Sequence, residues 1–399
     1  MKNLKTYATL GLTVLLSGCL DSDSDSSNYS GIECDTAQID MVVQTISADY
    51  TSSSVAIGCS EGGLLDGNLI SNKSDYTVSA GNSSFYYIGK GSIDTVSQYD
   101  FLLPDVENWK YATNDANEST SNTYKLVEVN EEKAYLIRYN KSKVWIVNPS
   151  AQNSADFKIG ELDLDNYLAS SDSTTSTATD MSDAVIVDGK LFIAMQRLRN
   201  GSKNDFGDVY DYTNNSMIAV FDIATDAEID ASPEDDTFNA ITLTGKNVQT
   251  LNVLGNEIFV SSRGNYFDSF GLLESIDATS YQVTTLVEGS AELGAIVDFT
   301  ATSTTQGFVL TDLSGYVDEV YTSKHNLYSL DLETSEIGAV LDGFNNIHLT
   351  DIATGPNSYL WVLSADASNP GVYKINASNI EESIFLETNL NPSKIAFKL

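Results

Sequence analysis

The chain has 399 residues, 56 of them acidic and 21 basic, for a formal net charge of −35. A surface of that sign repels polyanions, which excludes DNA or RNA binding as its main role. With only two histidines, His325 and His348, a metal-histidine site repeated through the fold is excluded as well.

At the start of the chain, Lys2 and Lys5 precede an apolar stretch from Tyr7 to Leu16. A helix crossing a bilayer takes about 20 apolar residues, so this stretch is too short to span and has the layout of a secretory signal. It ends in Leu16-Ser17-Gly18-Cys19, which resembles the lipobox of bacterial lipoproteins. The resemblance implies a signal peptide at 1–18 and a lipidated Cys19 that anchors the chain to a membrane. Leu20 stands where an aspartate would resemble an inner-membrane retention signal, so in a Gram-negative host the outer membrane is expected. Loss of Lys2 and Lys5 with the signal takes the net charge from −35 to −37. Residues 19–33 are acidic and Ser-rich and are expected to form a disordered leash, leaving 34–399 as one domain. Exported chains meet oxidising conditions, so Cys34 and Cys59 are expected to pair.

Beyond the leash, helical periodicity is nearly absent. Short runs rich in Val, Ile, Tyr, Phe and Thr alternate with Gly, Asn, Asp and Ser clusters, the pattern of many short antiparallel strands. Six of these runs recur as a repeat, with aromatics at Tyr86, Tyr135, Phe192, Phe259, Phe308 and Trp361. Most are followed by a second strand that ends in a turn, as in Met217–Asp222 and Leu327–Leu332. A unit of roughly 50 residues with four strands is a propeller blade. The segment Ile218–Ile229 resembles the repeat of YVTN-type β-propellers, in which a strand ends in Asp and a Thr-containing turn leads to the outer strand. That resemblance implies a fold superfamily, not an activity. The predicted fold is therefore all-β, a propeller of about seven four-stranded blades. The C-terminal strand at 393–399 and strands from 39–59 would close the ring and remove the sheet edges; eight blades, or six and a cap, are the alternatives.

Blade topology puts second-to-third-strand loops on the same face as the connections between blades. The long insertions, at 103–122, 169–182, 198–215, 264–270 and 314–325, fall there, and long loops on a rigid scaffold are where binding resides. Lys90, Arg138, Arg197 and Arg263 recur near the end of the second strand in four consecutive blades. Two readings stand: an arc that takes an anionic ligand, or four cations each paired with a loop acid such as Asp205, Asp208, Asp211 or Asp268. Trp109, Tyr210, Tyr266, Phe267 and Tyr316 in the same loops suit a flat or ring-shaped ligand. Asp75, Asp183 and His348 begin inner strands and are candidates for a channel site holding Ca²⁺ or a polar substrate by oxygen ligation. No nucleophile turn, phosphate loop or dinucleotide fingerprint occurs. Three functions are compatible with this reading. The chain is a lipid-anchored binder of a small ligand or partner protein, serving an outer-membrane receptor; a lactonase-like hydrolase using channel carboxylates; or a non-enzymatic assembly scaffold.

Overall fold

The computed structural model describes residues 29–169, 176–200, 210–211, 214–235, 237–265 and 270–399. The signal segment, Cys19 and the first part of the leash lie outside the described residues. Seven sheets of four strands stand around a common axis. Blades 1 to 6 occupy 76–112, 123–163, 181–242, 248–288, 295–347 and 349–387. The innermost strands are Tyr76–Ala80, Thr123–Asn130, Met181–Val187, Val248–Leu254, Ala295–Ala301 and Leu349–Thr354. In blade 7 the innermost strand is Asn391–Phe397, and Met41–Ile46, Ser53–Cys59 and Gly63–Ser71 follow outward. A fifth strand, Tyr29–Gly31, pairs with the outer edge of that blade.

The second strands of the blades read as unbroken apolar runs because both of their faces are covered. Phe85–Ile88, Tyr135–Ile137, Leu191–Met195 and Leu360–Leu363 are buried throughout. Seven hydrophobic clusters result, one at each junction between neighbouring blades. An open row of seven blades would have six such junctions, so the seventh establishes closure. It joins Val42, Val55 and Ile57 of blade 7 to Tyr76, Phe85 and Tyr99 of blade 1.

The Asp and Thr of the repeat have a local cause. Asp222 Oδ1 accepts from the Ala224 and Thr225 amides and from the Thr225 hydroxyl. Asp277 does the same for Thr279 and Ser280, and Asp331 accepts from Glu333 and Thr334. Each carboxylate thus closes the turn from third to fourth strand, mimicking a backbone acceptor.

Cys34 and Cys59 form a disulfide. It ties the segment entering blade 7 to the end of that blade's third strand. Replacing both cysteines by Ala is expected to cost about 3 kcal/mol from loop-closure entropy alone, read as a lower urea midpoint.

One expected loop is corrected. Residues 103–122 begin with a ten-residue outer strand, Leu103–Ala112, paired with Thr95–Asp100. Pro104 and the exposed charged residues disguise it, and an edge strand tolerates both because one side needs no ladder partner. The second-to-third-strand loops of blades 1 and 2 are correspondingly short, at 90–94 and 139–142, so the long ones belong to blades 3, 4 and 5.

Candidate functional site

Six of the seven innermost strands carry an extra residue near their start. These bulges fall at Tyr124, Ser182, Gln249, Val297, Thr350 and Ser393. A bulge breaks the alternation of faces and re-aims the side chains beside it. Immediately after it stand Lys125, Asp183, Thr250, Asp298, Asp351 and Lys394, in order around the ring. All six line the central channel or the smaller cavity that opens beside it; the channel has a volume of about 970 Å³. A charged belt therefore encircles the axis, close to the face that carries the long loops.

The carboxylates of this belt staple blade to blade. Asp183 accepts from Lys125 Nζ at 2.6 Å and from the Leu251 amide of the next blade at 2.8 Å. Asp298 accepts from Thr250 Oγ1 at 2.8 Å and from the Ile352 amide at 3.3 Å. Asp351 accepts from Lys394 Nζ at 2.7 Å and from the Ile395 amide at 3.0 Å. Burial, with Asp351 adding repulsion, pushes the Asp298 carboxyl far above the usual carboxylate range. Asp351 and Asp298 in turn stabilise the Lys394 ammonium and raise its pKa, against the opposing effect of burial.

The cations are more accessible than the acids. The Lys125 and Lys394 side chains are 34% and 42% exposed, against 12% for Asp183 and 5% for Asp351. They belong to blades 2 and 7 and flank blade 1, whose Thr77 also lines the channel. Above them at the rim, Lys90 sits over the Tyr124 ring at 5.5 Å, and Tyr124 stacks on Tyr139 at 4.6 Å. The Tyr139 hydroxyl donates to Gln196 Oε1 at 2.7 Å. One sector of the mouth thus combines three ammonium groups with a pair of stacked rings.

The four cations of the expected arc all stand at second-strand ends on the long-loop face, each in different surroundings. Arg138 is 1% exposed: its Nε donates to Thr113 O, its Nη2 pairs with Glu118, and its guanidinium lies 4.2 Å from the Trp145 ring. Arg197 donates to the backbone oxygens of Tyr167 and Asn215 and sits over Phe238. Arg263 pairs with Asp312 at 2.7 Å. Lys90 alone of the four lines the channel, with Asp75 at 3.3 Å. The strand-end position is shared, but Arg138 and Arg197 turn inward to loop acids and carbonyls, while Arg263, which lines the smaller cavity, meets Asp312 at a strand end of blade 5.

The aromatic candidates divide. Trp109 donates its indole N–H to Pro149 O and packs with Tyr111 and Phe157 between blades 1 and 2. Tyr316 is exposed on a hairpin outside the channel lining. Tyr266, Phe267 and the Tyr210 side chain lie outside the described residues, as do the side chains of Asp205, Asp208, Asp211 and Asp268. Asp75, Asp183 and His348 do not converge: Asp75 faces Lys90, and His348 stacks on His325 at 5.8 Å. Only Asp183 of the three lines the channel. Among the described residues no three His, Cys, Asp or Glu side chains gather as a metal site.

The sequence reading missed Lys125, Asp298, Asp351 and Lys394. Their signal is a repeat of its own, a charged residue third or fourth in five of the seven inner strands, visible in Tyr124-Lys125, Ser182-Asp183, Val297-Asp298, Thr350-Asp351 and Ser393-Lys394.

Two buried groups titrate in opposite senses. Burial pushes Asp180 up to about 7, and its Oδ2 has no hydrogen-bond partner. Between pH 4 and 7 the unfolded chain has released this proton while the folded one keeps it, so stability falls as pH rises through that window. Burial holds His325 down to about 4 against the pull of Asp312, so its contribution is lost as pH falls from 6.5 to 4. Asp180→Asn removes only the first effect. Urea unfolding is expected to show the variant gaining about 2 kcal/mol relative to wild type between pH 5 and pH 8.

The sequence matches no protein-family model and no curated protein. Among solved structures, the chain is similar to a provisionally named 6-phosphogluconolactonase from Bacteroides fragilis NCTC 9343, at 12% identity and a TM-score of 0.57. The match covers 92% of this chain and 99% of that one. A protein of the same provisional name from Bacteroides uniformis ATCC 8492 gives 12% identity and a TM-score of 0.56, over 90% and 99% of the two chains. Streptogramin B lyase gives 12% and 0.52, over 81% and 90%. At such identities the likeness shows the propeller fold alone.

Proposed function

We propose that the chain is a lipid-anchored envelope protein, tethered through Cys19, that binds a small anionic, ring-bearing molecule at the mouth of its central channel. Outer-membrane placement and a YVTN-type ancestry belong to the same reading, supported by the lipobox-like residues and by the Asp-Thr turns of the repeat. The observation that carries the ligand proposal is the cationic sector. In a chain of net charge −35, Lys90, Lys125 and Lys394 keep 28%, 34% and 42% of their side chains exposed around one concave wall. Tyr124 and Tyr139 offer ring faces at the same rim. Carboxylate recognition by ammonium groups beside aromatic faces is chemistry this wall can perform.

The test is calorimetry and thermal shift with sugar acids, aromatic carboxylates and inorganic phosphate. A hit is expected to weaken at least tenfold in Lys90→Met and in Lys125→Met, with no loss for a neutral analogue of the same ring. Binding that is indifferent to both substitutions removes the channel wall from the account.

A hydrolase acting on lactones or esters is the second reading, and Asp298 favours it. It lies in the channel wall, and burial raises its affinity for a proton, the direction a general acid needs. A lactone and ester panel with wild type and Asp298→Asn decides it: turnover that survives the substitution, or no turnover at all, ends this reading.

A further inference from the structure

The second-to-third-strand loop of blade 5 rises as a separate two-stranded ribbon, Gly315–Val317 with Val320–Thr322. Its base is fastened: Leu313 N donates to Lys324 O at 2.8 Å, Lys324 N to Ser314 Oγ at 2.9 Å, and Ser314 N to Asp312 Oδ1 at 2.6 Å. Among the described residues nothing covers the ribbon's four large apolar side chains. Tyr316, Val317, Val320 and Tyr321 are 76%, 51%, 66% and 56% exposed. Tyr316 pairs across the ribbon with Tyr321 and Val317 with Val320, so opposite faces are both apolar. Neither outer edge has a ladder partner among the described residues. At the tip, Asp318 and Glu319 both adopt the left-handed region, at φ 50° and 68°.

Each of these features has a cost. A two-stranded ribbon is marginal in water by itself, four large apolar side chains stay hydrated, and two non-glycine residues hold positive φ. Nothing within the described chain offsets them. We infer that this hairpin is a docking prong that inserts into an apolar cleft with a cationic floor on a partner protein. Charge selects the occupant. The tip is doubly acidic and belongs to a chain of net charge −35, so a second copy would bring like charge against like. A bilayer is a poor match because the apolar residues form the shaft and the acids the tip; insertion would bury the acids first. A cleft with Lys or Arg at its floor satisfies both parts, and the open edges allow strand addition.

The experiment places a photoreactive phenylalanine analogue at position 321 of the full chain in intact cells. The expected result is one discrete protein adduct, whose cross-linked segment, mapped by mass spectrometry, carries Lys or Arg beside apolar residues. Adduct yield should fall at least tenfold with Asp318→Lys/Glu319→Lys and with Tyr316→Ser, while Lys90→Met leaves it unchanged. Unfolding midpoints equal to wild type show that these exposed substitutions act at the surface. An adduct to lipid or to a second copy overturns the inference; so does the absence of any protein adduct, or one that survives charge reversal.

Discussion

Deletion of Asn391–Leu399 is expected to abolish cooperative unfolding of the whole propeller, not merely to loosen its end. The last strand is the innermost of blade 7 and pairs along Met41–Ile46. Its Lys394 and Ile395 bond to Asp351 of blade 6, and Lys398 and Leu399 bond by their amides to Asp40 and Gly81. Ile395 and Phe397 pack into the cluster around Trp361, which joins blades 6 and 7. Removing the strand therefore opens the junctions on both sides of blade 7 at once. It also exposes the edge of Met41–Ile46, an invitation to aggregation. The same cut leaves Asp351 buried without its ammonium partner. Urea unfolding followed by tyrosine and tryptophan fluorescence should lose its sigmoidal form, and a synthetic peptide of residues 388–399 should restore it. A truncated chain that unfolds with the wild-type midpoint and slope would mean that the ring does not need its clasp.

That clasp was legible in the sequence because a lone C-terminal strand and unpartnered N-terminal strands had no other place to pair. The blades were legible for a related reason. Second strands covered on both faces must be apolar at every position, and Leu191–Met195 or Leu360–Leu363 announce themselves. The belt was hidden by the bulges. Reading a strand with a period of two places alternate residues on opposite faces, and an extra residue such as Ser182 or Val297 shifts the phase from that point on. The arginines were hidden differently. Sequence position fixes the height of Arg138 on the blade, but the acid that receives it, Glu118, lies twenty residues earlier in a connection with no periodicity. Whether a strand-end cation points out or folds inward is decided by such a loop. The outer strand Leu103–Ala112 shows the opposite case, since an exposed edge places almost no demand on its residues.

The inward fold of Arg138 has a consequence large enough to measure. Arg138→Ala is expected to destabilise the protein by about 3–5 kcal/mol, combining a weakened ion pair at Glu118 and an unmet Thr113 carbonyl with a cavity beside Trp145. The guanidinium is 1% exposed; burial lowers its pKa and Glu118 opposes that shift. Without it, Thr113 O loses its donor and Glu118 keeps the Asp115 amide at 2.8 Å and Lys141 at 3.3 Å. Two further variants separate the contributions. Arg138→Met retains most of the packing against Trp145 and should recover part of the loss, because the cavity is filled though the acid remains. Glu118→Gln should cost less than Arg138→Ala, since the Glu118 side chain is 25% exposed and water can serve it. The same series discriminates between the two roles open to a strand-end arginine. If Arg138 is internal, every folded variant binds a channel ligand with wild-type affinity and only the urea midpoint moves. If Arg138→Met instead abolishes binding at unchanged stability, the guanidinium must leave Glu118 to meet the ligand, and the long-loop face opens further than its hydrogen bonds imply.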